Sequence, residues 1–188
     1  NYSSPVLIGT GYANGVRSSN VVNQYLNNQI KTDNTIWVAG YGLGGSLGTG
    51  AEGNASAATY TQIGDAEWTW VTFGRYNNMA RRTNGDLYAW GKNNNGALGT
   101  GDTTATSSPV LVTGGETWGE GFRHGTRASY SGMAVNTSGE LFSWGLNSYG
   151  MLGLGDETSY SAPQQVGSET DWSAIDLGSQ HALGVRSR

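Results

Sequence analysis

The sequence predicts an all-β fold built from a repeated unit, and three observations support that prediction. Glycine accounts for 31 of the 188 residues, while 7 Trp and 10 Tyr supply large aromatic side chains. Charged residues make up only 13% of the chain. One glycine-rich segment also recurs at nearly regular intervals. Many glycines with abundant aromatic residues are typical of short strands joined by tight turns.

The recurring segment sets the length of the unit. It begins at Ile36, Leu87 and Leu141 and reads IWVAGYGLGGSLGTGA, LYAWGKNNNGALGTGD and LFSWGLNSYGMLGLGD, with spacings of 51 and 54 residues. The flanking sequences repeat in step, with markers at Pro5, Ala58, Pro109, Pro163, Trp68, Trp118 and Trp172. Because independent markers keep the same register, the chain consists of genuine internal repeats.

Each unit predicts about four short strands and no helix. The dipeptides Asp33-Asn34, Asn84-Gly85 and Ser138-Gly139 lie between extended runs, and residues of these types suit a tight hairpin turn because they tolerate positive φ. A four-stranded unit repeated about every fifty residues predicts the blade of a β-propeller.

Residues 1–188 are therefore expected to form a single β-propeller repeat region. Its units are marked by residues 36–50, 87–101 and 141–155 and are 51–54 residues long. The chain holds about 3.6 units of this length. One blade cannot bury both of its faces alone, so each blade must stack on its neighbours. The Trp residues at equivalent positions are expected to pack between blades.

The units resemble the repeats of the regulator of chromosome condensation family. The family pattern of apolar-x-x-Trp-Gly, an Asn turn and Gly-x-Leu-Gly-x-Gly is present in Leu87–Gly101 and Leu141–Gly155, and a Gly-x-x-His turn is present in Gly178–His181. The first unit departs from it because Ala39 replaces the Trp. The resemblance implies a seven-bladed ring, so we expect a partial ring, a fragment of a longer propeller, or a ring completed by another chain. The repeats look most like the bacterial and bacteriophage branch of the family.

Two chemical motifs overlap between Ala39 and Gly50. One is G-x-G-x-x-G, a dinucleotide-binding fingerprint, and the other is G-x-S-x-G, the nucleophile elbow of serine hydrolases. Both motifs require a helix after a strand, and the many glycines here argue against one. The sequence therefore predicts no catalytic, cofactor-binding or metal-binding residue, and the protein is predicted not to be an enzyme.

Alignment of the repeats suggests a role in backbone geometry for this segment. Gly42 aligns with Asn93 and Asn147, and both residue types accept left-handed backbone. Ser46 aligns with Ala97, so the position is expected to need no hydroxyl.

Charge and composition exclude several classes of function. The net charge is −4, and the 10 Lys and Arg residues are spread over the chain, which argues against nucleic-acid binding. Arg81 and Arg82 are interpreted as a solvated strand edge. There is no Cys, so thiolate chemistry is excluded, and no apolar run is long enough for membrane insertion.

The titratable residues are assigned to turns. Asp102 and Asp156 follow the repeated glycine segments and are expected to cap turns by accepting backbone N–H groups. His124 and His181 lie 57 residues apart, about one repeat, and are expected in neighbouring blades.

The loops before the second strand of each unit differ most, and such loops are where repeat scaffolds place recognition. The candidate protein-binding residues are Arg75, Tyr76, Phe122, Arg123, Arg127 and Tyr130. Trp37 and Trp70 lie outside the repeated Trp positions and are expected to be exposed. The stretch Gly121–Arg127 resembles a sequence of plant ultraviolet-B photoreceptors in this family. Phe122 replaces their light-absorbing Trp, which argues against photoreception.

The leading hypothesis is a non-catalytic structural, adhesion or protein-binding propeller. Low charge and a surface rich in Asn, Thr, Ser and Gly favour a bacteriophage tail or capsid appendage, on the virion surface or outside the cell. Its partners would be proteins, other copies or segments that complete the ring, or a cell-surface glycan or receptor. One alternative is a regulatory propeller that acts on a small GTPase or chromatin. Another is a secreted protein inhibitor with Trp70, Tyr76 and Phe122 on one aromatic face.

Overall fold

The computed structural model of the chain describes residues 18–19, 25–65, 67–74, 76–119, 123–124, 130–178 and 181–187, with the backbone alone at 18–19 and 123–124. These residues form fourteen strands and one 3₁₀ turn, and none of their helical segments is long and apolar enough to cross a membrane. The strands are β1 (Ser18–Ser19), β2 (Leu26–Ile30), β3 (Ile36–Gly42), β4 (Ala55–Ile63), β5 (Trp68–Phe73), β6 (Asn77–Arg82), β7 (Leu87–Gly91), β8 (Thr106–Leu111), β9 (Arg123–His124), β10 (Ser131–Val135), β11 (Leu141–Gly145), β12 (Tyr160–Gln165), β13 (Trp172–Leu177) and β14 (Ala182–Arg186). The 3₁₀ turn is Asn94–Gly96.

The strands form four sheets in chain order, here called units 1 to 4. Unit 1 is β2-β3-β4, unit 2 is β5-β6-β7-β8, unit 3 is β9-β10-β11-β12 and unit 4 is β13-β14. Consecutive strands within each unit pair antiparallel. Units 2 and 3 confirm the predicted four-stranded blade. β1 pairs in parallel with β5, with Ser18 opposite Val71. This pairing was not predicted.

Units 1 to 3 each contain the predicted hairpin. A backbone N–H donates to a carbonyl across each turn, at 2.9 Å for Lys31 and Thr35, 2.9 Å for Arg82 and Asp86, and 3.0 Å for Asn136 and Glu140. The second residue of each predicted dipeptide is left-handed, with φ of 62° at Asn34, 93° at Gly85 and 82° at Gly139. Asn and Gly suit this position because neither pays the full steric cost of left-handed backbone.

Each hairpin tip also anchors the start of the next unit. The carbonyl of its left-handed residue accepts the backbone N–H of the Trp that opens the following unit. The pairs are Asn34 with Trp68 at 2.9 Å, Gly85 with Trp118 at 3.0 Å and Gly139 with Trp172 at 3.2 Å. The hairpin dipeptide therefore joins two units as well as two strands.

The hydrophobic core lies between the units. The first interblade cluster joins units 1 and 2, and its largest side chains are Trp68, Phe73 and Trp90. The second joins units 2 and 3 around Trp118 and Trp144, and the third joins units 3 and 4 through aliphatic side chains. Trp68, Trp90, Trp118 and Trp144 are at most 1% exposed, which confirms the predicted packing for these four repeated Trp residues. The fifth, Trp172, is half-buried against the third cluster.

A hydrogen bond from Trp fixes the contact between successive units. The indole Nε1 of Trp90 donates to the carbonyl of Ser46 at 3.2 Å, and that of Trp144 donates to the carbonyl of Ala97 at 3.1 Å. The acceptor lies in the glycine-rich segment of the preceding unit. We call the three equivalent segments, 46–50, 97–101 and 151–155, the joint loops.

In the two joint loops that contact an indole, 46–50 and 97–101, the third residue must be glycine. Gly48 and Gly99 have φ of 75° and 72°. A Cβ on Gly99 would lie 2.8 Å from Nε1 of Trp144, closer than carbon and nitrogen atoms can approach without displacement. The glycine motif therefore marks the surface on which the next unit's Trp lies.

The outer strand of the next unit completes the same joint. The backbone N–H of Gly50 donates to the Ser107 carbonyl, and that of Gly101 donates to the Ser161 carbonyl, both at 2.8 Å. Ser107 and Ser161 begin the repeated segments SSPVLV and SAPQQV. The flanking repeats thus belong to the strand whose backbone bonds to the preceding unit.

Asn93 and Asn147 support the joint loops through their side chains. Asn93 has φ of −125°, and neither Asn147 nor Gly42 is among the described residues with positive φ. The expectation that these positions relieve left-handed strain is therefore wrong. The Oδ1 atoms accept the N–H groups of Leu98 and Leu152, both at 2.9 Å. The Nδ2 groups donate to the aspartates at the ends of the loops.

Unit 1 lacks this Asn and uses other side chains. Ser46 Oγ accepts the N–H of Leu43 at 3.0 Å, and Asn54 Oδ1 accepts the N–H of Gly44 at 3.0 Å. The Ser46 hydroxyl therefore stabilises the turn, contrary to the expectation that the position needs none. A Cβ on Gly42 would lie 2.6 Å from Cγ of Leu47, so a larger residue does not fit there.

The aspartates cap turns as predicted. Asp102 Oδ1 accepts the N–H of Thr104 at 3.1 Å, and Asp156 Oδ1 accepts the N–H of Thr158 at 2.8 Å. The Tyr160 hydroxyl donates to Asp156 Oδ2 at 2.8 Å. The Thr158 N–H and then the Tyr160 hydroxyl hold the pKa of Asp156 below its ordinary value of 3.8. The same contact with Asp156 raises the pKa of Tyr160.

The joint can be tested by comparing two glycine-to-alanine variants. Gly115 has φ of 73° but no described atom within 4 Å of its Cβ position, so Gly115→Ala bears only the cost of left-handed backbone, about 1–2 kcal/mol. Gly99→Ala bears a similar backbone cost and also displaces Trp144, which adds about 1–3 kcal/mol. Chemical denaturation measures both free energies of unfolding. Equal losses in the two variants would contradict the proposed role of Gly99.

The Asp156 turn should respond to acid. Because its folded pKa lies below the unfolded value, its contribution is present above about pH 4 and is lost as pH falls through the folded pKa. We expect an NMR titration of the Asp156 carboxyl carbon to have its midpoint below 3.8, accompanied by a shift of the Thr158 amide. Asp156→Asn should remove that amide transition, while Glu157→Gln should retain it. A carboxyl midpoint at or above 3.8 would rule out this account.

Candidate protein-binding face

Each of units 1 to 3 carries a tyrosine at the same end of its strands. Each tyrosine immediately precedes a strand, which is β2, β6 or β10. Its carbonyl accepts a backbone N–H from near the end of the following strand β3 in unit 1, and from the residue just after β7 or β11 in units 2 and 3. The pairs are Tyr25 with Tyr41 at 2.8 Å, Tyr76 with Lys92 at 2.9 Å and Tyr130 with Leu146 at 2.7 Å. These shared backbone bonds hold the three tyrosines at equivalent positions.

A glycine makes each of these close contacts possible. Gly91 and Gly145 end β7 and β11, and Gly40 lies two residues before the end of β3; their φ values are 107°, 97° and 120°. A Cβ on any of them would collide with the carbonyl oxygen of the facing tyrosine. The Gly of the repeated Trp-Gly pair therefore fixes the tyrosine backbone, and this constraint leaves the tyrosine side chain unspecified.

The same backbone presents different side-chain chemistry in each unit. The Tyr25 and Tyr41 rings meet edge to face with centroids 6.5 Å apart. The Lys92 Nζ lies 4.5 Å from the centroid of the Tyr76 ring, a cation–π contact. Leu146 occupies the same position beside Tyr130. We call these six residues, Tyr25, Tyr41, Tyr76, Lys92, Tyr130 and Leu146, the tyrosine face.

Two of the six predicted binding residues lie on the tyrosine face. Tyr76 and Tyr130 are half-buried and occupy equivalent positions in units 2 and 3. Arg123 belongs to β9, where its backbone pairs with Met133. Arg75, Phe122 and Arg127 lie outside the described residues.

The sequence analysis did not identify Tyr25 or Lys92 as candidate residues. Tyr25, Tyr76 and Tyr130 are separated by 51 and 54 residues, the same spacings as the glycine-rich segments. That spacing was the available signal for Tyr25. Lys92 gave no comparable signal, because its position holds Tyr41 in unit 1 and Leu146 in unit 3.

Trp37 and Trp70 were predicted to be exposed, but both are half-buried. Trp70 is half-buried and packs against the second interblade cluster. Trp37 is half-buried, its Nε1 donates to Thr35 Oγ1 at 2.8 Å, and the Lys31 Nζ lies 3.7 Å from its ring centroid. The packing of Trp70 between units 2 and 3 argues against its part in an aromatic inhibitory face, and Phe122 of that predicted face lies outside the described residues.

Arg81 and Arg82 also have structural roles, so their interpretation as a solvated edge is wrong. Arg81 Nε donates to the Trp118 carbonyl at 2.6 Å, which links units 2 and 3. The Arg82 guanidinium lies 4.6 Å from the Tyr88 ring centroid and 5.1 Å from that of Trp68. Their charges are therefore directed into the fold at the end opposite the tyrosine face.

Comparison with known proteins identifies the repeats. Residues 84–118 and 138–185 match the sequence profile of the regulator of chromosome condensation (RCC1) repeat. The chain is 32% identical over 138 residues to the X-linked retinitis pigmentosa GTPase regulator of Canis lupus familiaris, covering 73% of this chain and 14% of that protein. It is 33% identical over 109 residues to the ultraviolet-B receptor UVR8 of Arabidopsis thaliana, covering 57% of this chain and 24% of that protein. The match thus spans less than a quarter of either relative.

Solved structures show the same fold. Prp20p of Saccharomyces cerevisiae superposes with a TM-score of 0.74 at 17% identity, covering 87% of this chain and 42% of that one. Human WBSCR16 superposes with a TM-score of 0.72 at 18% identity, covering 86% of this chain and 42% of that one. These relatives are eukaryotic, and membership of a bacterial or bacteriophage branch stays a prediction. The sequence match shows that residues 84–118 and 138–185 contain RCC1 repeats, and the superpositions show that the chain shares the propeller fold.

Proposed function

We propose that the chain is a regulatory, protein-binding propeller segment that engages a small GTPase through the tyrosine face. The observation that carries this proposal is the combination of a fixed tyrosine backbone with neighbours that differ between units. Tyrosine supplies a large contact area with a polar tip, and Tyr and Arg are enriched among residues that dominate binding energy. A rigid row of such residues suits recognition of a folded protein.

The relatives support a regulatory role. The canine relative is named as a GTPase regulator, and Prp20p is described as binding Gsp1p and histones. The net charge of −4 and the engagement of Arg81 and Arg82 within the fold favour a protein partner over nucleic acid. We expect the segment to act by binding rather than by catalysis.

The regulatory hypothesis is better supported than the virion hypothesis. The relatives named above include a GTPase regulator and no virion protein. A bacteriophage appendage role, binding to a glycan or receptor, and a location on the virion surface or outside the cell stay predictions from composition alone.

Binding can be tested by surface plasmon resonance with immobilised chain and a panel of nucleotide-free small GTPases. We expect Tyr76→Ala or Tyr130→Ala to weaken binding about tenfold, because truncating an interface tyrosine removes buried contact area. Tyr76→Phe should bind within about threefold of the natural chain, since the ring and its Lys92 contact are retained.

A matched control lies away from the face. Val110 is 41% exposed on the outer strand β8, so Val110→Thr should leave GTPase binding unchanged. Core histones serve as a second analyte. Absence of binding to every GTPase at about 100 μM, or binding that the tyrosine variants do not alter, would contradict the proposal.

A further inference from the structure

One polar residue faces the Trp that opens each of units 2 to 4. The pairs are Arg82 with Trp68, Asn136 with Trp118 and Arg186 with Trp172. We call Arg82, Asn136 and Arg186 the Trp-facing residues. Their side chains all carry N–H donors, so the acceptors that these donors find can be compared across the three units.

In units 3 and 4 the Trp-facing residue donates to carboxylates of the chain itself. Asn136 Nδ2 donates to Glu116 Oε2 at 2.8 Å and to Glu140 Oε2 at 2.6 Å. Arg186 Nε donates to Asp171 Oδ1 at 2.6 Å. A carboxylate is therefore the acceptor at this position of the fold in both units.

Arg82 has no such acceptor. Its guanidinium carbon lies 5.1 Å from the ring centroid of Trp68 and 4.6 Å from that of Tyr88. Within the described residues the guanidinium makes no hydrogen bond or ion pair, and its Nε is buried. The indole N–H of the fully buried Trp68 has no acceptor either. Buried donors without an acceptor are rare and costly, so these two point to an acceptor from outside the chain.

The acidic side chains beside Arg82 have other partners. Glu67, which precedes its Trp as Asp171 does, accepts the Thr83 hydroxyl through Oε2 at 3.4 Å. Glu67 has left-handed backbone with φ of 94°, whereas Asp171 has not. Asp86 Oδ2 accepts the Nδ2 of Asn84 at 2.7 Å within the hairpin. Unit 2 therefore keeps the cationic donor and directs its own carboxylates elsewhere.

We propose that Arg82 is a binding site for a carboxylate supplied by an acidic segment of a partner protein. The contacts with Trp68 and Tyr88 hold the guanidinium in place. Arg82 is half-buried, so an acidic side chain can reach it from solvent. A guanidinium can then donate two parallel N–H bonds to one carboxylate. The site lies at the end opposite the tyrosine face and does not depend on that face.

Charge favours a carboxylate over a phosphate at this site. Glu67 and Asp86 both lie beside Arg82, because Thr83 N–H donates to the Glu67 carbonyl and Arg82 N–H donates to the Asp86 carbonyl. A carboxylate with a single negative charge is repelled less by these two acids than a phosphate that carries nearly two. The acceptors in units 3 and 4 are also carboxylates.

The test is an NMR titration of the isotope-labelled full chain with the peptide acetyl-Glu-Glu-Glu-Gly-amide at constant ionic strength. We expect the Arg82 Nε–H and the Trp68 indole N–H signals to shift with a Kd of about 5 mM. The Arg186 Nε–H signal should stay in place, because it already has a carboxylate acceptor. The peptide acetyl-Gln-Gln-Gln-Gly-amide should shift none of these signals.

Two arginine variants form a matched pair. Arg82→Lys keeps the charge but loses the planar pair of donors, so peptide binding should weaken at least about fivefold. Lys31 occupies the equivalent hairpin position in unit 1, so the fold accepts lysine there. Arg186→Lys should bind the peptide like the natural chain.

Several results would overturn the proposal. They are no shift of the Arg82 signal at about 20 mM peptide, equal shifts with the Gln peptide, or unchanged binding by Arg82→Lys. Larger shifts with inorganic phosphate than with the Glu peptide would identify phosphate as the ligand instead. Peptide binding at least about fivefold tighter in Glu67→Gln would show that the chain's own carboxylate occupies Arg82.

Discussion

The indole-to-carbonyl hydrogen bond between successive units is the constraint on which the rest of the structure depends. Apolar burial between sheets is strong but has no direction, so it cannot by itself fix how one blade sits on the next. The bonds from Trp90 to Ser46 and from Trp144 to Ala97 provide that direction. Each satisfies the N–H of a buried indole that would be costly to leave unpaired, which makes displaced arrangements unfavourable.

This constraint explains why so much of the fold was predictable from the sequence. A position that receives an indole must be glycine, and a strand that delivers one must carry Trp, so the joint appears as a fixed pattern at fixed spacing. The hairpins at Asn34, Gly85 and Gly139 were predictable for a similar reason, because left-handed backbone favours Gly and Asn. Steric requirements of this kind restrict the residue types at a position, so they can be recognised in the sequence.

Side-chain roles that depend on the folded arrangement were not predictable. Asn93 appeared to serve the backbone, yet it supports the joint loop through its amide group once that loop has formed. Arg81 appeared solvated, yet it donates to the Trp118 carbonyl, 37 residues away. That carbonyl is adjacent to Arg81 only after units 2 and 3 have stacked. Lys92 on the tyrosine face is a similar case, because its contact with Tyr76 requires both strands of the sheet to be in place.

The anchoring of each unit on the preceding hairpin has a consequence for how the chain acquires its structure. The N–H of Trp118 bonds to the tip at Gly85, so the segment that leads into unit 3 is held by the hairpin of unit 2. The same dependence links unit 2 to unit 1 and unit 4 to unit 3. Contacts between nearest neighbours allow folding to propagate along a repeat array. Here the bond between a hairpin tip and the Trp of the next unit gives each pair of neighbours a specific backbone contact through which the order of one unit is coupled to the order of the next.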